Sequence, residues 1–229
     1  VVTRTVQDTA AALDVLAQHD PGAWWSPPTP SQRYRDVLAQ PLDPLRVAVL
    51  ADAPIETVTV DPAYRTAVDL AQRALEAAGH RLVEAALPLP PADELIATFT
   101  TLWNVGAAAV PLADPDAVEP HNRALRDAAR SIDSWAYAAA VARAEALSRR
   151  IVEAFVAGVD ILVTPTMACL PPPVGAWRHG TDESPLMALL NCYPLAVFTS
   201  LFNVTGLPAI SVPIHHDDET GLPVGVQLV

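Results

Sequence analysis

The chain contains no lysine: all 14 of its basic residues are arginines, so no side-chain amine can act as a proton acceptor anywhere in it. Cysteine is nearly absent too. Cys169 and Cys192 stand in no metal-binding or redox spacing, which excludes a disulfide framework and leaves two buried, reduced thiols as the expectation. Positive charge is scarce against 26 acidic residues, giving a net charge of -12 and a pI near 4.7. Nucleic-acid binding needs a basic stripe to displace phosphate counterions, and none exists. Proline or glycine interrupts every weakly charged stretch before it reaches the roughly 20 apolar residues of a membrane span. The sequence opens Val1-Val2-Thr3-Arg4, without Met and without the zones of a signal peptide. We therefore expect a cytoplasmic protein whose natural start lies upstream.

What is present is apolar and foldable. Hydrophobic residues make up 51% of the 229 and charged residues 17%, the reverse of a disordered composition. A helix is expected over 4–18, where Thr5 and Asp8 form a capping pair and Val6, Ala10, Leu13 and Ala17 share one face. Periodicity then stops over 19–44, with Pro21, Pro27, Pro28, Pro30, Pro41 and Pro44 around Trp24-Trp25. That pattern suits a covering loop with its aromatics buried. Residues 45–86 read as strand, helix, strand: an apolar run at 45–50, a helix opened by Asp61-Pro62 and closed by Gly79, and a second strand at 81–85. Such a unit predicts parallel strands and an α/β fold. A nucleotide-binding Rossmann unit lacks its glycine fingerprint here, since Ala51-Asp52-Ala53-Pro54 follows the first strand. Helical patterns occupy most of 91–157. A buried strand at 160–164, an apolar helix at about 195–204 and two strands at 209–213 and 224–229 complete the segment 158–229.

Two groups of polar residues invite a metal reading, and both fail it. His215, His216, Asp217 and Asp218 are consecutive in an expected hairpin loop and cannot all converge on one ion. Asp114, Asp116, Glu119 and His121 lack the glycine and the ladder of a calcium loop. Solvated turns are expected at both, and no metal site. No HExxH, P-loop, GxSxG or CxxC occurs, so spacing alone names no catalytic group.

Three segments together carry a family resemblance. The stretch from Val2 to Leu16, VTRTVQDTAAALDVL, resembles the helix that follows the catalytic core in amidase signature enzymes. Val159-Asp-Ile-Leu-Val-Thr-Pro-Thr166 is similar to that family's buried strand and turn, preceded by an alanine-rich helix with Arg143, Arg149 and Arg150. Most specific is Phe202-Asn-Val-Thr-Gly-Leu-Pro-Ala-Ile-Ser-Val-Pro213 followed by Gly221-Leu-Pro-Val-Gly-Val-Gln-Leu-Val229, which resembles the C-terminal hairpin.

The resemblance implies an α/β/α fold around a mixed sheet, and hydrolysis of a carbon–nitrogen amide bond with no metal or organic cofactor. It implies a serine nucleophile, a second serine in a cis peptide and a lysine, in a segment rich in glycine and serine. A neutral lysine relayed through the second hydroxyl would take the proton of the nucleophile, and backbone N–H groups would hold the oxyanion. This sequence has no lysine, no Ser-Ser pair and no such segment, so no catalytic residue is assigned. Ser211 in Ala-Ile-Ser-Val-Pro is expected on a strand for packing. The chain reads as residues 1–229 of the C-terminal portion of one amidase domain, with the N-terminal core missing and both ends truncated.

Its remaining contribution would be one wall of the substrate cleft. The resemblance points to Thr164, Thr166, Asn203 and Gly206 as substrate-binding positions; for Asn203 and Gly206 the competing reading is a braced turn. Trp103 and Tyr137 divide between core packing, which is favoured, and substrate contact. In members that hydrolyse glutamine for transfer-RNA amidation an acid stands seven residues before this asparagine, whereas here it is Ala196, which disfavours a glutamine-specific role. Expected partners are a small-molecule amide and the missing core of the same protein, with neither nucleic acid nor membrane. The alternative is a non-catalytic amide-binding module, against which stands the sheet edge and apolar face that loss of the core would expose.

Overall fold

The computed structural model describes residues 1–23, 26–114 and 117–229. The expected burial of Trp24 and Trp25, and the position of Asp116 in the acidic group, lie outside the described residues. The chain forms two compact units, residues 1–43 and 44–229.

In the first unit, α1 (Val6–Leu16) begins as its sequence dictates: the Asp8 N–H donates to the Thr5 hydroxyl at 3.1 Å. The segment expected as a loop contains one short helix, α2 (Tyr34–Val37). Its cause is non-local. Asp14 on α1 accepts the Tyr34 N–H at 2.6 Å and pairs with the Arg35 guanidinium at 2.9 Å, a partner twenty residues away that no local pattern reveals.

The second unit is built on a five-stranded mixed sheet in the order β2-β1-β3-β5-β4. β1 (Arg46–Val49) pairs in parallel with β2 (Arg81–Leu82) and β3 (Ile161–Pro165), and β5 (Pro223–Leu228) joins β3 to the edge strand β4 (Ile210–His216) in antiparallel register. Between β1 and β2 runs α3 (Pro62–Ala77), whose N-cap Asp61 accepts the Ala63 N–H at 2.8 Å. The second strand is shorter than its apolar run: its register pairs are Arg81 and Leu82, and it ends as the Val83 N–H donates to the Val47 carbonyl at 2.9 Å.

Strand alternation divides the sheet between two helix layers. Val47, Val163, Val224 and Val226 point to one face and pack with Tyr64, Ala67, Val68 and Ala71 of α3. Ala48, Leu162 and Val229 point to the other and pack with Leu147 and Ile151 of α6 (Ser134–Val156) and Leu201 and Phe202 of α8 (Thr199–Thr205). The result is the α/β/α arrangement around a mixed sheet that the sequence resemblance implies.

α4 (Ala92–Ala109) and α5 (Pro120–Ala129) complete the helical segment before α6. The single apolar helix expected at 195–204 is in fact two, α7 (Met187–Ala196) and α8, which meet at an angle of 86°. Pro194 lies in the last turn of α7, and Phe198, wholly buried, holds the bend. Among the described residues no single helix is long and apolar enough to cross a membrane.

The ends of β1 and β3 are tied by one bidentate pair. The Asp160 carboxylate accepts the Arg46 backbone N–H at 2.8 Å, its Nε at 3.0 Å and its Nη2 at 2.8 Å. Those hydrogen bonds hold the Asp160 pKa well below the ordinary carboxylate range. A depressed folded-state pKa means stability that is present above the unfolded value and lost as pH falls. Asp160→Asn is therefore expected to lower the urea midpoint at pH 7 and to flatten the loss of stability below about pH 4. Urea titrations of both proteins across that pH range check it.

Candidate functional site

Described residues of the second unit line an open apolar cleft. α4 supplies Leu95, Thr98, Phe99 and Trp103, a helical stripe at spacings of three and four. Facing it, α7 contributes Leu189, Cys192, Tyr193 and Ala196, and α8 contributes Ser200, Leu201 and Val204. Ile55, Leu147 and Val197 close the remaining sides.

No lining residue carries a charge. The reason is visible in the chain, which has no Asp, Glu, Lys or Arg between Glu183 and Asp217. Thr98 is buried and its hydroxyl is occupied, accepting the Arg143 Nε–H at 3.1 Å. Burial pushes the Tyr193 phenol above its ordinary pKa, so it stays neutral at physiological pH. Trp103, expected in the core, is 44% exposed and packs edge-on against Phe99 with ring centroids 5.5 Å apart. It lines the cleft. Tyr137, also expected in the core, is 41% exposed on α6 and is not part of the lining. The period of an amphipathic helix places such residues on a stripe, but only the packing of neighbouring helices decides how far that stripe is covered.

The four residues expected to bind substrate lie elsewhere. Thr164 is fully buried on β3, where its hydroxyl donates to the Pro165 carbonyl at 2.7 Å and accepts from the Gln227 amide at 3.1 Å. Its side chain supports the sheet and reaches no solvent, because β5 pairs directly over it. Thr166 lies just beyond the strand end. Asn203 is exposed on α8 and is not part of the cleft lining. Gly206 takes φ 69° as the C-cap of α8, with its N–H donating to the Phe202 carbonyl at 2.9 Å, a left-handed turn that glycine adopts without steric cost. Thr164 is thus buried in the sheet, Gly206 ends α8, Thr166 is partly exposed and Asn203 is exposed.

Thr166 belongs to a small hydroxyl cluster. Its Oγ1 lies 2.7 Å from Ser211 Oγ, although β5 separates the two strands, because Gly225 between them has no side chain. A Cβ on Gly225 would stand 2.8 Å from Ser211 Oγ and 3.0 Å from Thr166 Oγ1. Gly225→Ala is expected to cost about 1–3 kcal/mol by overpacking. Adding Ser211→Ala, which removes the nearest atom, should restore part of that loss in urea titrations. Ser211 sits on β4, as expected.

His215 and His216 belong to β4, paired with Val224 and Pro223, so the hairpin is longer than expected and its turn begins only at Asp217. Among the described residues no group of three His, Cys, Asp or Glu side chains could hold an ion. Both cysteines are free and half-buried, and burial, followed by the charge of Asp61, raises the pKa of Cys169.

The cleft was not legible as a site in the sequence. Its signals were the uncharged stretch after Glu183 and the Phe99/Trp103 pair one turn apart, neither of which specifies chemistry.

A family model described as Amidase matches residues 1–229. The 6-aminohexanoate-cyclic-dimer hydrolase of Pseudomonas sp. (strain NK87) is 32% identical over 240 residues, covering 99% of this chain and 48% of that protein. A putative amidase of Synechocystis sp. (strain ATCC 27184 / PCC 6803 / Kazusa) is 28% identical, covering 100% of this chain and 42% of its own length. A solved structure of 6-aminohexanoate cyclic dimer hydrolase complexed with substrate superimposes with a TM-score of 0.87 at 31% identity, over 99% of this chain and 50% of that one. The chain spans about half the length of the curated relatives it matches.

Proposed function

This chain belongs to the amidase signature family, and from that premise we propose that it forms part of a hydrolase that cleaves the carbon–nitrogen bond of a small-molecule amide. The observation that carries the reading is the match over residues 1–229 together with a fold that superimposes on an amide hydrolase at a TM-score of 0.87.

Within that enzyme the chain supplies binding surface and the nucleophile comes from elsewhere. Attack on an amide needs a serine whose proton is taken by a base, and the family's base is a lysine. None of this chain's 14 basic residues is one. Arginine cannot substitute, because its guanidinium stays protonated at any physiological pH. A further portion of polypeptide, carrying the serines and the lysine, is the partner in this reading. The unpaired side of β4 supports it: β4 is an edge strand, with Ile210 38% exposed on it.

Thr166 and Asn203 are the proposed contact residues at the wall facing that portion, and Thr164 and Gly206 hold the strand end and the helix end that present them. The apolar cleft, which includes Ala196 where glutamine-hydrolysing members carry an acid, favours an amide other than glutamine. No metal or cofactor is invoked. A second reading, a non-catalytic module that binds amides, is favoured by one observation: the cleft is formed entirely by residues of 44–229.

The test is to capture the native polypeptide from its source, measure its intact mass, and assay the same material on a panel of small amides. The expected outcome is a mass well above 24.3 kDa with release of amine. Hydrolysis by a native polypeptide of 24.3 kDa would overturn the division of labour, and a native 24.3 kDa polypeptide that binds without turnover would favour the second reading.

A further inference from the structure

The chain passes from its first compact unit into the second at Pro44, which has no N–H, so the first backbone donor of the second unit belongs to Leu45. That N–H donates to His80 Nδ1 at 3.1 Å. The next, the N–H of Arg46, goes to the Asp160 carboxylate at 2.8 Å. The head of β1 is thus fastened by an imidazole on the β2 side and by a carboxylate on the β3 side.

His80 is carried into place by the way α3 ends. Gly79 takes φ 91° and donates its N–H to the Glu76 carbonyl at 2.9 Å, while the His80 N–H reaches back to the Leu75 carbonyl at 3.0 Å, the paired closure of a left-handed helix end. The Arg81 N–H then donates to the Leu45 carbonyl at 2.8 Å, so one turn grips both polar backbone groups of Leu45.

A backbone N–H can only donate, so Nδ1 must offer a lone pair here and the ring proton must sit on Nε2. An imidazolium carries hydrogen on both nitrogens and has no lone pair to offer. Protonation therefore removes this bond and sets two N–H groups against each other. The other fastening does not respond in the same range, because its hydrogen bonds with Arg46 hold Asp160 ionised far below it. The charged groups on the elements around His80 are Arg81 on β2, Arg46 on β1, Asp160 ahead of β3, Arg73 and Glu76 toward the end of α3, and Asp43 just upstream of Leu45. Arg46 and Asp160 neutralise each other in their bidentate pair. The two remaining arginines repel a charged ring, and Glu76, Asp43 and the terminal carbonyls of α3 attract one. None of these gives the Leu45 N–H a new acceptor.

We propose that His80 is a pH-responsive latch on the junction between the two units: neutral, it ties Leu45 to the turn between α3 and β2, and protonated, it releases the Leu45 N–H and frees the entry to β1. The latch stands independently of the amide-hydrolase reading.

Amide hydrogen exchange of the 229-residue chain, followed by NMR from pH 8 to pH 5 and corrected at each pH for the intrinsic rate, tests it. Protection of the Leu45 amide is expected to fall roughly five- to tenfold on acidification, the equivalent of one net hydrogen bond, across the range in which histidine changes charge. The amides of Arg46, Leu50 and Val83, whose acceptors are Asp160 and the carbonyls of Val163 and Val47, should keep theirs. His80→Asn offers an amide oxygen near the position of Nδ1 and does not titrate, so it should protect Leu45 equally at both ends of the range. His80→Phe should leave Leu45 weakly protected throughout, and the Asn variant decides alone should the Phe variant not fold. Protection of Leu45 that is constant with pH in the unmodified chain would overturn the proposal, as would the same fall in His80→Asn, which would assign the titration to another group. A fall shared by Leu50 and Val83 would also overturn it, because the whole sheet would then be loosening.

Discussion

Incubated with a panel of small amides, the 229-residue chain should release amine no faster than buffer alone. The expectation rests on chemistry. An amide is cleaved in water only on very long timescales, and enzymes shorten them by at least a millionfold through a nucleophile, a base and preorganised donors acting together. The chain holds serines, and Ser211 on β4 is hydrogen-bonded to Thr166. With no lysine in the sequence, a relay of the family's kind cannot be formed here. Supplying the missing chemistry from a second polypeptide should change the outcome by orders of magnitude, while any substitution within this chain should leave the rate at zero. A fluorogenic anilide assay at high protein concentration checks both statements. Turnover that survives purification and disappears with Ser211→Ala would refute them.

The second large effect concerns Phe198. It is wholly buried where α7 gives way to α8, packed with Tyr64, Val68 and Val226 of the core on the α3 side of the sheet. Its neighbours Val197 and Leu201 line the cleft. Phe198→Ala should cost about 3–5 kcal/mol, the loss of a large buried ring plus the cavity it leaves. For a domain of this size that corresponds to roughly 10 °C in Tm. Thermal melts of both proteins followed by circular dichroism check it.

Much of this architecture was legible in the sequence because it depends on local rules. Thr5 and Asp8, and Asp61 with Pro62, announce helix starts through capping that the structure reproduces. The alternation in β1, β3 and β5 follows from apolar runs of strand length. Failures fell where the deciding partner is remote or where the pattern is uniform. α2 exists because of Asp14, a partner twenty residues away. α7 is apolar all round, so it shows no helical period, and its Pro194 reads as a breaker although it sits harmlessly in the last turn. Site residues were harder still. Nothing local to Thr164 announces the hydrogen bond its hydroxyl accepts from Gln227, 63 residues away on β5. Trp103 carries the same ambiguity, resolved toward the cleft by the position of α7.

The strand order carries a consequence for how the protein is made. β4 is translated before β5, yet among the described residues its one partner in the sheet is β5. As the chain leaves the ribosome, residues 210–216 therefore emerge with no place to dock and must wait until 223–228 have followed. The hairpin then adds to β3 as one piece. The other central pairing joins Arg46 to Asp160 across 114 positions, so the parallel half also closes late. Long-range pairings of this kind slow folding and prolong exposure of apolar strands. Nascent chains whose emerged portion ends between 217 and 222 should accordingly be more protease-sensitive than those whose emerged portion includes 228.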